Sequence, residues 1–213
     1  LPVSFVGMDP VPLVHGMTMG EYARMVNGEG WLKGGEKCDL TVIPCLGYAH
    51  ANLYELPVKP SPNLPNMAAV FLYPALGLFE GTIVSVGRGT DMPFQCIGYP
   101  GCQIGSYAFT PHSMPGAKDP LYRNKVCTGM GLGSFGEFYS RLAPRLNLEW
   151  LIGMYNASTD KSHFFTSFFD TLAGGTTLRK AIIAGKSEDE IRRSWQPGLE
   201  KYNAMRKPYL LYP

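Results

Sequence analysis

Between Met67 and Phe79 the chain reads MAAVFLYPALGLF, a run of about 13 residues without a single charge. A helix drawn through it is apolar on every side, so it needs cover all round. It falls short of the roughly 20 residues that cross a bilayer, and Pro74 interrupts it, so no membrane span is expected. Such a helix belongs inside a layered globular fold. The segment before it, VKPSPNLP, is a proline-rich loop. Asn63 is read as the N-cap, Pro65 falls in the first turn, and the helix is expected to end near Pro74.

The neighbouring segments suggest what provides the cover. HGMTMGEYARMVNGEG places Thr18 and Glu21 in capping-box spacing, and Gly28 and Gly30 mark the helix stop. DLTVIPCLGY reads as a short buried strand. Helix, strand, helix and a glycine-rich turn in this order predict an α/β layer. Near Met92 the texture changes to turns and aromatics, which places a domain boundary there: residues 1–92, then a smaller α+β domain over residues 93–213. In that second part, SFGEFYSRLAPRL starts with a capping box of Ser134 and Glu137 and aligns Phe135, Phe138, Tyr139 and Leu142. KSHFFTSFFDTLAGG is read as a helix presenting Phe164, Phe165, Phe168, Phe169 and Leu172. TTLRKAIIAG is a short helix capped by Gly185, and SEDEIRRSWQPGLEKYNAMR opens with Ser187 and Glu190 and is expected to be kinked by Pro197.

Composition excludes some partners. Of 213 residues 17% are charged, the net charge is +2, and no lysine or arginine block occurs, so nucleic acid is not expected. Five cysteines cannot all pair within one chain, and none shows metal or redox spacing. Buried free thiols are one reading. A Cys96–Cys102 disulfide in an oxidising compartment is the other.

Three motifs carry candidate chemistry. GLGSFG, Gly131 to Gly136, is a literal dinucleotide fingerprint, but capping by Ser134 explains the helix start. Glu137 in the first turn would also repel a pyrophosphate. No cofactor is expected. Glu21 is explained by its capping box or serves as a carboxylate, and His15 satisfies a backbone group or faces a cleft. LFEGTIVSVGRGTDMPF gathers Glu80, Thr82, Ser85, Arg88 and Thr90 among glycines. Gly87 and Gly89 permit positive φ and close approach of a ligand to the backbone. Arg88 offers a planar donor fork, Glu80 offers acceptors, and the hydroxyls offer both, a set suited to an acidic carbohydrate. The alternative is a Glu80–Arg88 ion pair that pins a loop.

SFVGMDPVPLVHGMTMGEYARMVNGE, PSPNLPNMAAVFLYP, LFEGTIVSVGRGTDMPF and the ending RKPYLLYP together resemble the bacterial exo-β-N-acetylmuramidase family along nearly the whole chain. The resemblance implies the back half of a Rossmann-like α/β domain followed by a smaller α+β domain. It also implies an exo-glycosidase that releases terminal β-linked N-acetylmuramic acid from peptidoglycan fragments in cell-wall turnover. A periplasmic or secreted location follows, and so do muramic acid–glucosamine saccharides as partners. The family's catalytic glutamate lies in a P-E-H-G motif that this sequence does not contain. The expectation is therefore that the chain begins partway through the first domain, whose amino-terminal part is itself a needed partner. Glu80 and Glu21 are the candidates for the second carboxylate. His15, Thr18, Asn63, Thr82, Ser85, Arg88 and Thr90 are the candidate substrate contacts, with no metal ligand among them. Ile83 and Val86 stand where the family has asparagine and glutamate. A non-catalytic module binding cell-wall sugar is the alternative function, and a nucleotide-binding oxidoreductase is a third.

Overall fold

The computed structural model describes residues 4–142 and 145–213, without the side chains of residue 137 and residues 139–142. The fold class is α/β, with helices and, among the described residues, one small sheet. Two compact units form. The first combines residues 4–54 with Arg192–Pro213; the second is Glu55–Ile191. Met92, the boundary drawn from sequence texture, lies inside the second unit.

In the first unit, α1 (Met19–Gly28) starts as its capping box requires, with Thr18 and Glu21 each bonded to the other's backbone N–H. It stops at Glu29, with Gly30 at positive φ. The strand expected over 39–48 is absent. The backbone there has no ladder partner, and Ile43 and Leu46 are 87% and 100% exposed. A short apolar segment interrupted by Pro44 does not form a strand without a neighbouring strand to complete its hydrogen bonds.

The apolar helix α2 (Met67–Leu76) opens the second unit. Its N-cap is Asn66, whose side-chain oxygen accepts from the Ala69 N–H at 3.0 Å. Asn63 is not the cap. Its amide donates to the Gly116 carbonyl at 2.9 Å, and Pro65 precedes the helix. Pro74 lies inside α2, in its last turn, where only one backbone bond is lost. The helix then passes into a 3-10 turn over Gly77–Gly81. Its cover includes α3 (Gly133–Leu142), and Ala68, Ala69, Leu72, Ala75 and Leu76 are buried.

The sheet comprises β1 (Cys96–Tyr99), β2 (Tyr107–Phe109) and β3 (Cys127–Gly131), in the order β1-β3-β2 with both pairings antiparallel. Cys96 pairs with Gly131, and Phe109 with Cys127. All five cysteines are free, and Cys96, Cys102 and Cys127 are buried as small apolar side chains.

Ser134 is not an N-cap, because α3 already starts at Gly133 and Ser134 is exposed within it. Glu137, Tyr139 and Leu142 lie outside the described side chains. Phe135 and Phe138 are exposed, so the packed face of α3 is a different one. A Cβ on Gly136 would stand 2.7 Å from the Ala68 carbonyl oxygen, and one on Gly133 would stand 2.8 Å from the Met92 methyl. These glycines let α3 approach its neighbours closely. The strand before it belongs to an antiparallel sheet, not the parallel βαβ unit that a dinucleotide fingerprint requires.

The remaining helices are α4 (Glu149–Ala157), α5 (Phe169–Leu172), α6 (Thr177–Ile183) and α7 (Glu188–Arg206). The long helix expected over 161–175 is reduced to the four residues of α5. Phe164–Thr166 runs extended instead, because its backbone pairs with the 3-10 turn. Ile83 N–H donates to the Phe164 carbonyl and Thr166 N–H to the Gly81 carbonyl. Ser187 and Glu190 cap α7 as expected.

Candidate functional site

The turn from Gly77 to Gly81 delivers Glu80 to the start of the glycine-rich loop. Arg88 Nε donates to Glu80 Oε1 at 2.7 Å, with both side chains about a quarter to a third exposed. The guanidinium carbon also sits 4.9 Å from the Phe94 ring centroid. Phe94 is fully buried, holds a backbone φ of 54°, and meets Tyr73 edge-on at 4.9 Å. A positive φ at a buried aromatic is a strained conformation that needs the surrounding structure to hold it. The ion pair engages only Nε. Among the described residues the two Nη groups of Arg88 have no hydrogen-bond partner, so the outer fork remains available.

The neighbouring hydroxyls serve the backbone. Thr82 Oγ1 donates to the Phe79 carbonyl and accepts from Val84 N–H. Ser85 Oγ accepts from Gly87 N–H, and Thr90 Oγ1 donates to the Gly87 carbonyl and accepts from Met92 N–H. Thr82 and Ser85 are buried. Gly87 and Gly89 do take positive φ, at 75° and 82°. The space beside them is filled by the protein, not left for a ligand: a Cβ on Gly87 would meet the Met92 carbonyl oxygen at 2.6 Å, and one on Gly89 the His112 carbonyl oxygen at 2.5 Å. Val86 is buried, where a glutamate would need a partner of its own.

The other candidates gather in the first unit, around Glu21. The Glu21 side chain is fully buried. Its Oε2 accepts from the Thr18 N–H at 2.7 Å and from the Thr18 hydroxyl at 3.0 Å. Its Oε1 accepts from Leu211 N–H at 2.7 Å, from Tyr212 N–H at 3.3 Å, and meets His50 Nε2 at 3.0 Å. Burial pushes this carboxyl up, but the donors from Leu211, Thr18 and His50 outweigh it and hold the pKa at about 2. His15 Nδ1 accepts from Met17 N–H, and its carbonyl accepts from Tyr202 and Arg206. Burial first, and Arg206 second, lower its pKa. The structure thus joins Thr18 to Glu21, and Glu80 to Arg88, while Asn63 is tied to Gly116.

Sequence reasoning missed His50 and the backbone of Leu211 as partners of Glu21. The only signal was the ending RKPYLLYP, which carries the resemblance without revealing its contact. Phe94 and a cavity beside Phe165 were missed as well. Among the described residues, no cluster of three or more His, Cys, Asp or Glu is placed to hold a metal, and no helix is long and apolar enough to cross a membrane.

An α/β chain with this loop and this carboxyl-terminal staple matches two parts of one family in order: exo-beta-N-acetylmuramidase NamZ, N-terminal, over residues 2–68, and exo-beta-N-acetylmuramidase NamZ, C-terminal, over residues 71–212. The chain belongs to the exo-beta-N-acetylmuramidase NamZ family. It is 34% identical to the peptidoglycan beta-N-acetylmuramidase NamZ of Bacillus subtilis (strain 168), over 98% of this chain and 53% of that protein. It is also similar to a solved DUF1343 family protein from Bacteroides fragilis NCTC 9343, with a TM-score of 0.91, 49% identity, and coverage of 98% of this chain and 59% of that one. A second DUF1343 structure from the same organism shares the fold at a TM-score of 0.71 and 20% identity, covering 99% of this chain and 60% of its own. The chain therefore spans about half the length of the curated relative it matches.

Proposed function

We propose that these residues form the carboxyl-terminal portion of an exo-acting glycosidase. It would release terminal β-linked N-acetylmuramic acid from peptidoglycan fragments in cell-wall recycling, in the periplasm or outside the cell. The observation that carries this reading is the ordered match to both parts of one muramidase family, together with 34% identity to a B. subtilis peptidoglycan muramidase. In this reading the part matched by the family's N-terminal model, residues 2–68, is the back part of a Rossmann-like domain, and residues 71–212 are the smaller domain. Glu80 orients Arg88 through Nε, and the free Nη fork takes the lactyl carboxylate that distinguishes muramic acid from other hexosamines. Glycoside hydrolysis needs two carboxyl groups, or one assisted by the substrate's acetamido group. The family's P-E-H-G glutamate would supply one of them from outside these 213 residues. Glu80, part-exposed, is better placed than Glu21 to serve as a second, because Glu21 already accepts from five donors.

The test is hydrolysis of a disaccharide of N-acetylmuramic acid β-linked to N-acetylglucosamine. The 213 residues alone are compared with a polypeptide carrying them behind a P-E-H-G-bearing amino-terminal portion. Release of single sugars from the non-reducing end by the longer chain alone is the expected result. Internal cleavage, or no turnover by either, removes the reading. A second reading, a non-catalytic module that binds cell-wall sugar, is favoured by the Glu80–Arg88 ion pair. Saccharide binding without turnover by the longer chain would select it.

A further inference from the structure

The second unit holds a cavity of about 460 Å³, within the roughly 300–1,000 Å³ typical of small-molecule sites. It is lined by the aromatic pair Tyr155 and Phe165, by Lys161, by Asp170 and Arg179, and by the hydroxyl residues Ser162, Thr166 and Ser167. The two rings stack at 5.4 Å and 27°, giving the wall an apolar stretch. Arg179 binds Asp170 through Nε at 2.9 Å and Nη2 at 2.7 Å, so those two charges cancel. Lys161 stands 5.5 Å from the Tyr155 ring centroid and has no carboxylate partner among the described residues. Asp160, outside the lining, is engaged by Ser162 and His163. The Ser167 hydroxyl likewise has no hydrogen-bond partner among the described residues. The cavity thus presents one uncancelled positive charge, an aromatic wall and unfilled hydroxyl capacity. Its floor is tied to the glycine-rich loop, because Phe165 bridges Thr82.

We infer that this cavity binds a carboxylated pyranose, with the sugar's apolar face against the part-exposed Phe165, which the buried Tyr155 backs, and its carboxylate against Lys161. A pyranose has one face of C–H groups suited to an aromatic wall and hydroxyls suited to Ser162 and Ser167. A single carboxylate matches a single lysine. A phosphate dianion would leave most of its acceptors without donors, and an apolar ligand would strand Lys161 and the Asp170–Arg179 pair. The site is separate from the Arg88 fork. In a wall glycan, where acidic and neutral sugars alternate, it would hold a second acidic unit. The choice of N-acetylmuramic acid as probe rests on the proposed function; the cavity itself specifies only the acidic pyranose.

The test is titration of the 213-residue protein with N-acetylmuramic acid, N-acetylglucosamine and inorganic phosphate, read by amide NMR shifts. Saturable shifts at residues 155–183 are expected with N-acetylmuramic acid. Lys161→Gln, at an exposed position, should weaken them about 1.5- to fivefold, as loss of one solvent-facing charge pair would, and should leave binding of N-acetylglucosamine unchanged. Phe165→Leu should weaken both sugars. Equal binding by Lys161→Gln, saturation by phosphate at the same residues, or no shifts there overturns the inference. The two readings fail separately. Shifts confined to residues 80–94 and lost in Arg88→Lys remove the cavity site but leave the glycosidase reading intact. Cavity shifts that persist while the longer chain shows no turnover do the reverse.

Discussion

Arg88 Nε donates to Glu80 Oε1 at 2.7 Å across an eight-residue loop, and the same guanidinium rests 4.9 Å from the centre of the buried Phe94 ring. Glutamate and ring together fix the plane of the arginine while leaving its outer nitrogens uncommitted. The ion pair that pins the loop and the arginine that presents a fork to a ligand are therefore one arrangement.

Arg88→Lys should separate these roles. As a loop pin, a part-exposed ion pair contributes about 0.2–1 kcal/mol, and lysine retains part of it. As a carboxylate fork, arginine contributes roughly 1.5–3 kcal/mol, about ten- to a hundredfold in binding, and lysine does not replace it. Affinity for N-acetylmuramic acid and for N-acetylglucosamine, measured beside a thermal melt, checks this. Selective loss for the acidic sugar with little change in Tm is expected, and equal losses for both sugars would make the arginine purely structural.

Glu21 should make the first unit acid-sensitive. Its carboxyl pKa of about 2 lies below the ordinary 4.5, so the folded state favours the ionised form. That stabilisation is complete above about pH 4.5 and disappears as pH falls through 2. The difference corresponds to roughly 3 kcal/mol. Thermal melts between pH 7 and pH 2 should show wild type losing stability more steeply than Glu21→Gln, which starts lower and stays flatter. Parallel curves would refute the assignment.

Gly136→Ala should destabilise the second unit although alanine favours helix by about 1 kcal/mol. The new methyl meets the Ala68 carbonyl oxygen at 2.7 Å, an overpacking that costs about 1–3 kcal/mol. Ser134→Ala, two positions earlier and exposed, should change stability by less than about 0.5 kcal/mol. Chemical denaturation of both variants is the check, and neither protein should bind NAD.

The exposed apolar side chains of the first unit should be visible to a probe. Phe5, Met19, Ile43 and Leu46 are each more than four-fifths exposed. Such surface binds hydrophobic dyes and promotes association. Replacing Ile43 and Leu46 with serine should lower dye fluorescence and concentration-dependent association together. No change in either would show that these side chains are covered in solution.

What the sequence revealed and what it hid follow from how local each signal is. The capping boxes at Thr18–Glu21 and Ser187–Glu190 span four residues each, and both form as read. The burial of α2 also follows from its composition. Its N-cap does not, because Asn63 and Asn66 are equivalent in a short window, and the contact of Asn63 with Gly116 is decided 53 residues away. The strands near Cys96, Tyr107 and Cys127 hold three to five residues with glycines among them, too short for a period to emerge. Phe164 and Phe165 sit at helical spacing from Phe168 and Phe169, yet pairing with residues 81–83 draws them into an extended backbone. At the candidate site, residue types were legible and their hydrogen-bond partners were not. Thr82, Ser85 and Thr90 looked like ligand contacts because nothing local shows that a hydroxyl already serves a turn.

The bonds from Leu211 and Tyr212 to Glu21 also bear on how the molecule is made. A chain emerging from the ribosome presents α1 before the second unit, with Glu21 ready to be buried, while its backbone donors are 190 and 191 residues away. The second unit is contiguous and is fully synthesised before Arg192 appears. Vectorial synthesis therefore favours folding of the middle of the chain first. The α1 segment must wait, with Glu21 hydrated, until Leu211 and Tyr212 arrive to close over it.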